Sequence, residues 1–427
     1  MDTHIREFRN FIDSAHSVYH AVAGIVWELE AAGYTCLSES AGWELMPGGR
    51  YYLTRGGSSV IAFRVPEEEP TGFMVSASHS DRPGFKVKEN AELTGKYLRL
   101  GVEPYGGMIM ESWFDRPLSL AGRVFVETEN GVESRLVDID RDLMLIPRVA
   151  IHMNREVNKG VAVNPAVDTI PLLGGADAAG KLEQLLEEQA GGRILGHDLY
   201  AYVRQNASAF GLEEEFICAA GIDDLTCAWC ATQGFLTAED SSAIPVLCVF
   251  DSEEVGSISV QGAGSDFLNT VLRRIGSGLG VETERLLAQS FMVSADNGHA
   301  LHPNHGELCD PNNAPVMNGG IVLKYNANMR YTTDGASTAI MRMVCEDANV
   351  PVQTYCNRAD IAGGSTLGHV SLGHVSILSA DIGIAQLAMH SCYETAGMKD
   401  IQYLIKVMRT YYSMALTCDR DGSYSLT

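Results

Sequence analysis

Six side chains of the 427-residue chain, His79, Asp223, Glu253, Glu254, Asp296 and His390, are of types that hold metal ions or move protons. Four of them stand where a short apolar run stops. GFMVSAS (72–78) runs into His79, Ser80 and Asp81; AIPVLCVF (243–250) runs into Asp251, Ser252, Glu253 and Glu254; SFMVSA (290–295) runs into Asp296. Asp223 lies in GIDDLTC and His390 in QLAMHS. Taken singly, each has an ordinary reading. Adjacent Glu residues commonly form a solvated helix start, Asp223-Asp224 could open the helix that follows, and a lone histidine is more often a hydrogen-bonded structural residue. Placement changes that balance. A carboxylate or imidazole directly after a buried run is costly unless paired, and metal coordination is one way to satisfy it. Imidazole and carboxylate without thiolate suit Zn, Mn or Co.

The runs carrying these groups are short, apolar or β-branched, and bounded by polar turns, as fully buried strands are. Between them lie helix-like segments such as DDLTCAWCATQGFLTAE and GSDFLNTVLRRIGSGLG. This alternation predicts an α/β domain on a mostly parallel sheet. Ligands bind at the carboxyl ends of such strands, so the three strand ends are expected to converge. Residues 93–219 read differently: a hairpin centred on Glu129-Asn130-Gly131, then a Gly/Ala-rich stretch with one short helix. The expected organisation is an α/β catalytic domain in two parts, 1–92 and 220–427, around an inserted β-rich domain at 93–219. The N-terminal segment, interrupted by charge throughout, reads as one amphipathic helix and not as a signal peptide. No apolar run approaches the ~20 residues of a membrane span.

Thirty-one Lys and Arg against 54 Asp and Glu give a net charge of −23, which argues against non-specific binding to nucleic acid or an anionic membrane. Ten cysteines are scattered, several in apolar stretches such as VLCVF. Disulfide frameworks belong to small secreted chains, so reduced thiols and a cytoplasmic location are expected. Cys227 and Cys230 form a CxxC, but TCAWCAT reads as one buried helix face. An HExxH helix, a P-loop and a GxSxG elbow are all missing.

SHSDRPGFKVK, GIDDLTC, DSEEVGS, SADNGHALHPNH, GGSTLGHV and QLAMHS, in this order, resemble the aspartyl aminopeptidase family of two-metal exopeptidases. GVEPYGGMIMESWFDRPLSLAGRV and IPRVAIHMNREVN carry the resemblance through the insert. The resemblance implies a zinc-peptidase catalytic domain and an insert used in dimerisation, with frequent assembly into dodecamers. It implies two divalent metal ions per subunit, zinc first, with Mn or Co as alternatives. Asp223 would bridge both ions, with His79 and Asp296 completing one site and Glu254 and His390 the other. Asp81 would orient His79, and Glu253 would be the general base. His152 would reach the neighbouring subunit's site and steady the oxyanion.

Implied substrates are peptides with a free N-terminus. Asp or Glu is typically removed, though some members of the family favour neutral residues. Lys324 and Arg330 in LKYNANMRYTTDG are candidate cations for an acidic side chain. Arg82 is a third, standing where the family more often has serine. His299, His302 and His305 read as a structural and substrate-lining loop, and His369 and His374 receive no role. Two other readings are a different two-metal amide hydrolase, such as a dipeptidase or deacylase, and a catalytically silent oligomeric scaffold. Silent relatives usually lose ligands, and every ligand position is filled here.

Overall fold

The apolar runs become neighbouring strands. In the computed structural model, which describes residues 3–427, Ile244–Phe250, Phe73–His79, Phe291–Ala295 and Leu378–Gly383 lie side by side and parallel. They form the centre of a nine-stranded mixed sheet. The first three are buried at every residue, which accounts for their continuous apolar sequence: with both faces covered, no solvent face asks for polar alternation. Register places Phe250 opposite His79, so these strands end level. Helices Ile222–Thr237 and Met398–Tyr412 cover one face together with the N-terminal helices, and Phe267–Leu279 covers the other. Cys227 and Cys230 are buried, unpaired and part of that first core, as expected.

The N-terminal segment is two helices, Thr3–Ser14 and Val18–Ala31, and not one. A tertiary contact accounts for the break. The ring of His16 stacks on Tyr202 at 4.0 Å, its Nδ1 lies 2.6 Å from Asp138 Oδ2, and Ser17 is extended.

The insert is a six-stranded antiparallel sheet in the order Gly131–Asp138, Leu118–Thr128, Ile194–Val203, Gly84–Leu93, Tyr97–Tyr105, Leu172–Gly175. The hairpin turns at Glu129-Asn130, with Thr128 paired to Gly131. This sheet begins at Gly84, ahead of the expected boundary at 93, and ends at Val203. Gly84–Leu93 follows the His79–Asp81 block after a short turn, and its outward charges masked it as a strand. Ser208–Phe210 and Phe216–Ala219 leave the insert for a third sheet with Glu394–Gly397, Ala385–Leu387 and Gly298–His299.

Ile222–Thr237 and Met398–Tyr412 approach closely at Gly234: a Cβ there would meet Met408 Cβ at 2.5 Å and Arg409 N at 2.7 Å. Gly234→Ala is expected to lower unfolding stability by about 1–3 kcal/mol through overpacking. Denaturant unfolding beside the wild type measures it; an unchanged midpoint would mean that the helices part at no cost.

Candidate active site

The level strand ends deliver His79, the Asp251–Glu254 turn and Asp296 to one place, and the start of Ile222–Thr237 brings Asp223 in from the side. Asp223 and Asp224 are joined by a cis peptide and lack helical dihedrals. Asp223 is 3% exposed and presents its two oxygens to different histidines. Oδ1 is 3.6 Å from His79 Nε2, and Oδ2 is 3.4 Å from His390 Nε2. Nε2 of His390 is also 3.5 Å from Glu254 Oε2. Ligand atoms of His79, Asp223 and Glu254 lie within 4.8 Å of one another, and so do those of Asp223, Asp224 and Asp296. All five ligand candidates from the sequence therefore meet around Asp223, with Asp224 a buried sixth group that the sequence reading left aside.

Both imidazoles are held the same way round. His79 Nδ1 faces the Asp81 carbonyl at 3.0 Å, and His390 Nδ1 faces the Gly107 carbonyl at 2.7 Å. A carbonyl only accepts, so each Nδ1 donates and each Nε2 is left facing Asp223, the nitrogen that would lose its proton to a bound metal ion.

The residues fit divalent cations on a separate count. Asp223 Oδ1, Asp224 Oδ1 and Glu254 Oε1 are buried without a hydrogen-bond partner, whereas buried polar atoms are nearly always satisfied. Burial and surrounding carboxylates push Glu253 up to about 8 and also raise Glu254, Asp224 and Asp296. Burial opposes charge on His390, but Asp223 outweighs it and lifts the imidazole to about 9. Left to itself, this cluster favours taking up protons, first because its carboxylates are buried and then because they crowd one another. Hard or borderline divalent ions suit such an oxygen and imidazole set.

Three supports were not all visible beforehand. Asp81 accepts the backbone N–H groups of Glu253 and Glu254, each at 3.1 Å, and the Tyr105 hydroxyl at 2.7 Å. It therefore aims His79 and shapes the Glu253-Glu254 turn together. Glu394, 2% exposed, accepts from the Asp223 N–H at 3.0 Å and the His390 N–H at 2.7 Å. Its only sequence signal was an acid four residues after His390, in SCYETAGM. Asn297 donates to the Ile222 carbonyl and to Gln386, both at 2.9 Å, fixing the turn after Asp296.

The remaining candidates are placed as follows. Lys324 is buried beside the cluster, with Nζ 3.4 Å from Asp296 Oδ2 and donating to the Asn297 carbonyl at 3.3 Å. Arg330 and His152 are exposed, as are His369 and His374. Arg82 departs from the substrate-cation role expected for it. Its Nη2 donates to the His16 carbonyl at 2.9 Å, and Nη1 lies over Gly221. These contacts commit the guanidinium to the protein itself. Among these supports Glu394 is the most direct test: Glu394→Gln should weaken metal retention about 10–100-fold, read by chelator competition, and undiminished retention would exclude a positioning role.

A family model describing aminopeptidase I zinc metalloproteases (M18) matches residues 11–412. A probable M18 family aminopeptidase 2 of Clostridium novyi is 40% identical over 424 residues, covering 96% of this chain and 98% of that protein. The cryo-EM structure of the Ape4 and Nbr1 complex contains a chain that is 34% identical with a TM-score of 0.92, covering 96% of this chain and 85% of that one. The S. cerevisiae mApe1 dodecamer is 26% identical with a TM-score of 0.84, covering 95% of each chain. The fold, the cluster around Asp223 and these likenesses agree: the chain belongs to the M18 family of aminopeptidases, hydrolases of the zinc metalloprotease class.

Proposed function

We propose that the chain removes N-terminal residues, Asp or Glu foremost, from peptides with a free N-terminus, using two divalent cations held around Asp223. The observation that carries this reading is the division of Asp223, one oxygen toward His79 and the other toward His390. His79 and Asp296 would share one ion with Asp223, and Glu254 and His390 the other; zinc is the first choice, with Mn or Co as alternatives. When bound, such ions acidify the attacking water and polarise the scissile carbonyl. Glu253 takes the proton from that water and returns it to the departing amine. Asp81 holds Glu253 for this task through the backbone N–H bond.

Lys324, the buried cation beside Asp296, is the group proposed to favour an acidic side chain, with exposed Arg330 supplying a longer-range field. Self-assembly into a dimer and then a dodecamer is proposed too, supported by the likeness to the mApe1 dodecamer. His152 would then act in a neighbouring subunit's site, consistent with its exposed place on the insert. Among the described residues no helix is long and apolar enough to cross a membrane, and a cytoplasmic location is proposed.

Glu253→Gln is expected to lower kcat by about 10²–10⁴-fold while leaving zinc content and assembly as in the wild type; full turnover would exclude Glu253 as the base. On a panel of aminoacyl substrates, cleavage should require a free α-amino group and be fastest for Asp or Glu. Turnover of N-blocked substrates would sink the exopeptidase assignment, and a preference for neutral residues would remove the role given to Lys324.

A further inference from the structure

Arg82 stands directly behind the cluster. Its Nη2 hydrogen bond to the His16 carbonyl anchors the guanidinium. Its far end is packed so closely on Gly221 that a Cβ there would sit 2.7 Å from Nη1 and 2.9 Å from Cδ. Gly221 has φ +73°, the left-handed region that glycine enters most readily, and it leads through Ile222 into Asp223. Arg82, Gly221 and Glu394 line one small cavity with Ser391 and Cys392. Of the charges around the guanidinium, Glu394 acts on it most strongly. Glu394 is the carboxylate that grips the Asp223 and His390 N–H groups. One residue thus touches the turn that launches Asp223 and shares a cavity with the carboxylate that holds Asp223 and His390 together.

We propose that Arg82 is a positioning residue for the metal centre: its guanidinium braces the Gly221–Asp223 turn and fills the cavity it shares with Glu394, keeping Asp223 and His390 aligned for the ions. The inference rests on the reading that those two residues hold divalent cations. It replaces a role for Arg82 in substrate recognition with one exerted through the protein. A serine here neither reaches the His16 carbonyl nor packs on Gly221. A lysine keeps the charge and much of the reach, but not the planar fork.

The test uses the full chain, stripped of metal and titrated with zinc chloride against a chromogenic chelator. It compares wild type, Arg82→Ser and Arg82→Lys. Arg82→Ser should bind zinc about tenfold more weakly, while Arg82→Lys recovers most of that loss. The metal-free melting temperature should match the wild type in both variants. The ratio of kcat/KM for acidic over neutral substrates should stay unchanged, because Arg82 touches no substrate. The proposal is overturned if Arg82→Ser keeps wild-type zinc affinity while KM rises for acidic substrates alone. It is equally overturned if both variants lose zinc and melting temperature together, which is general destabilisation. A wild type that bound no zinc would remove the proposed function and this inference with it; a tightly binding wild type with an equally tight Arg82→Ser removes this inference alone.

Discussion

Carboxylates repel one another and give up water at a cost of several kcal/mol each, yet Asp81, Asp223, Asp224, Asp296 and Glu394 are all buried in one region, with Glu253 and Glu254 beside them. Most of the local structure answers that crowding. Backbone N–H groups of Glu253 and Glu254 point at Asp81, those of Asp223 and His390 point at Glu394, and the Lys324 ammonium lies against Asp296. These donors satisfy the outer carboxylates and leave the inner oxygens of Asp223, Asp224 and Glu254 without partners. An excess of negative charge is thereby concentrated where the Nε2 atoms of His79 and His390 also point. A divalent cation bound there would relieve that excess.

The insert takes part in this arrangement at close range. Tyr105 donates to Asp81, the Gly107 carbonyl orients His390, and the Ile109 N–H bonds the His390 carbonyl. Gly106, at φ +71°, lets the turn between them pass Glu254, where a Cβ would come within 3.0 Å of that residue's own Cβ. The chain leaves the central sheet at His79, passes Asp81 and Arg82, and enters the insert's sheet at Gly84. The central sheet and the insert therefore share a seam made of groups that orient the candidate ligands.

What the sequence made legible was whatever depends on a residue's immediate neighbours. His79, Glu253, Glu254 and Asp296 stood out because charge after an uninterrupted apolar run is expensive, and the same runs foretold the parallel strands. Asp223 and His390 needed the family resemblance, since each sits in a short, mixed segment. Glu394 was hidden because its partners are backbone N–H groups from residues 223 and 390, which no spacing reveals. The direction of Arg82 was hidden because its partners, the His16 carbonyl and Gly221, lie far away in sequence. The break at His16 and the early start of the insert both come from tertiary partners, Tyr202 and Asp138 in one case and Ile194–Val203 in the other.

His79 and His390 bracket most of the chain, and the groups between them hang on three different sheets. Contacts so distant in sequence form late, after the costly closure of long loops. A nascent chain still on the ribosome and lacking the segment around His390 and Glu394 has Asp223 without its second histidine and without the carboxylate that fixes its backbone. An intact cluster around Asp223 therefore requires the segment around His390 and Glu394 to have been made.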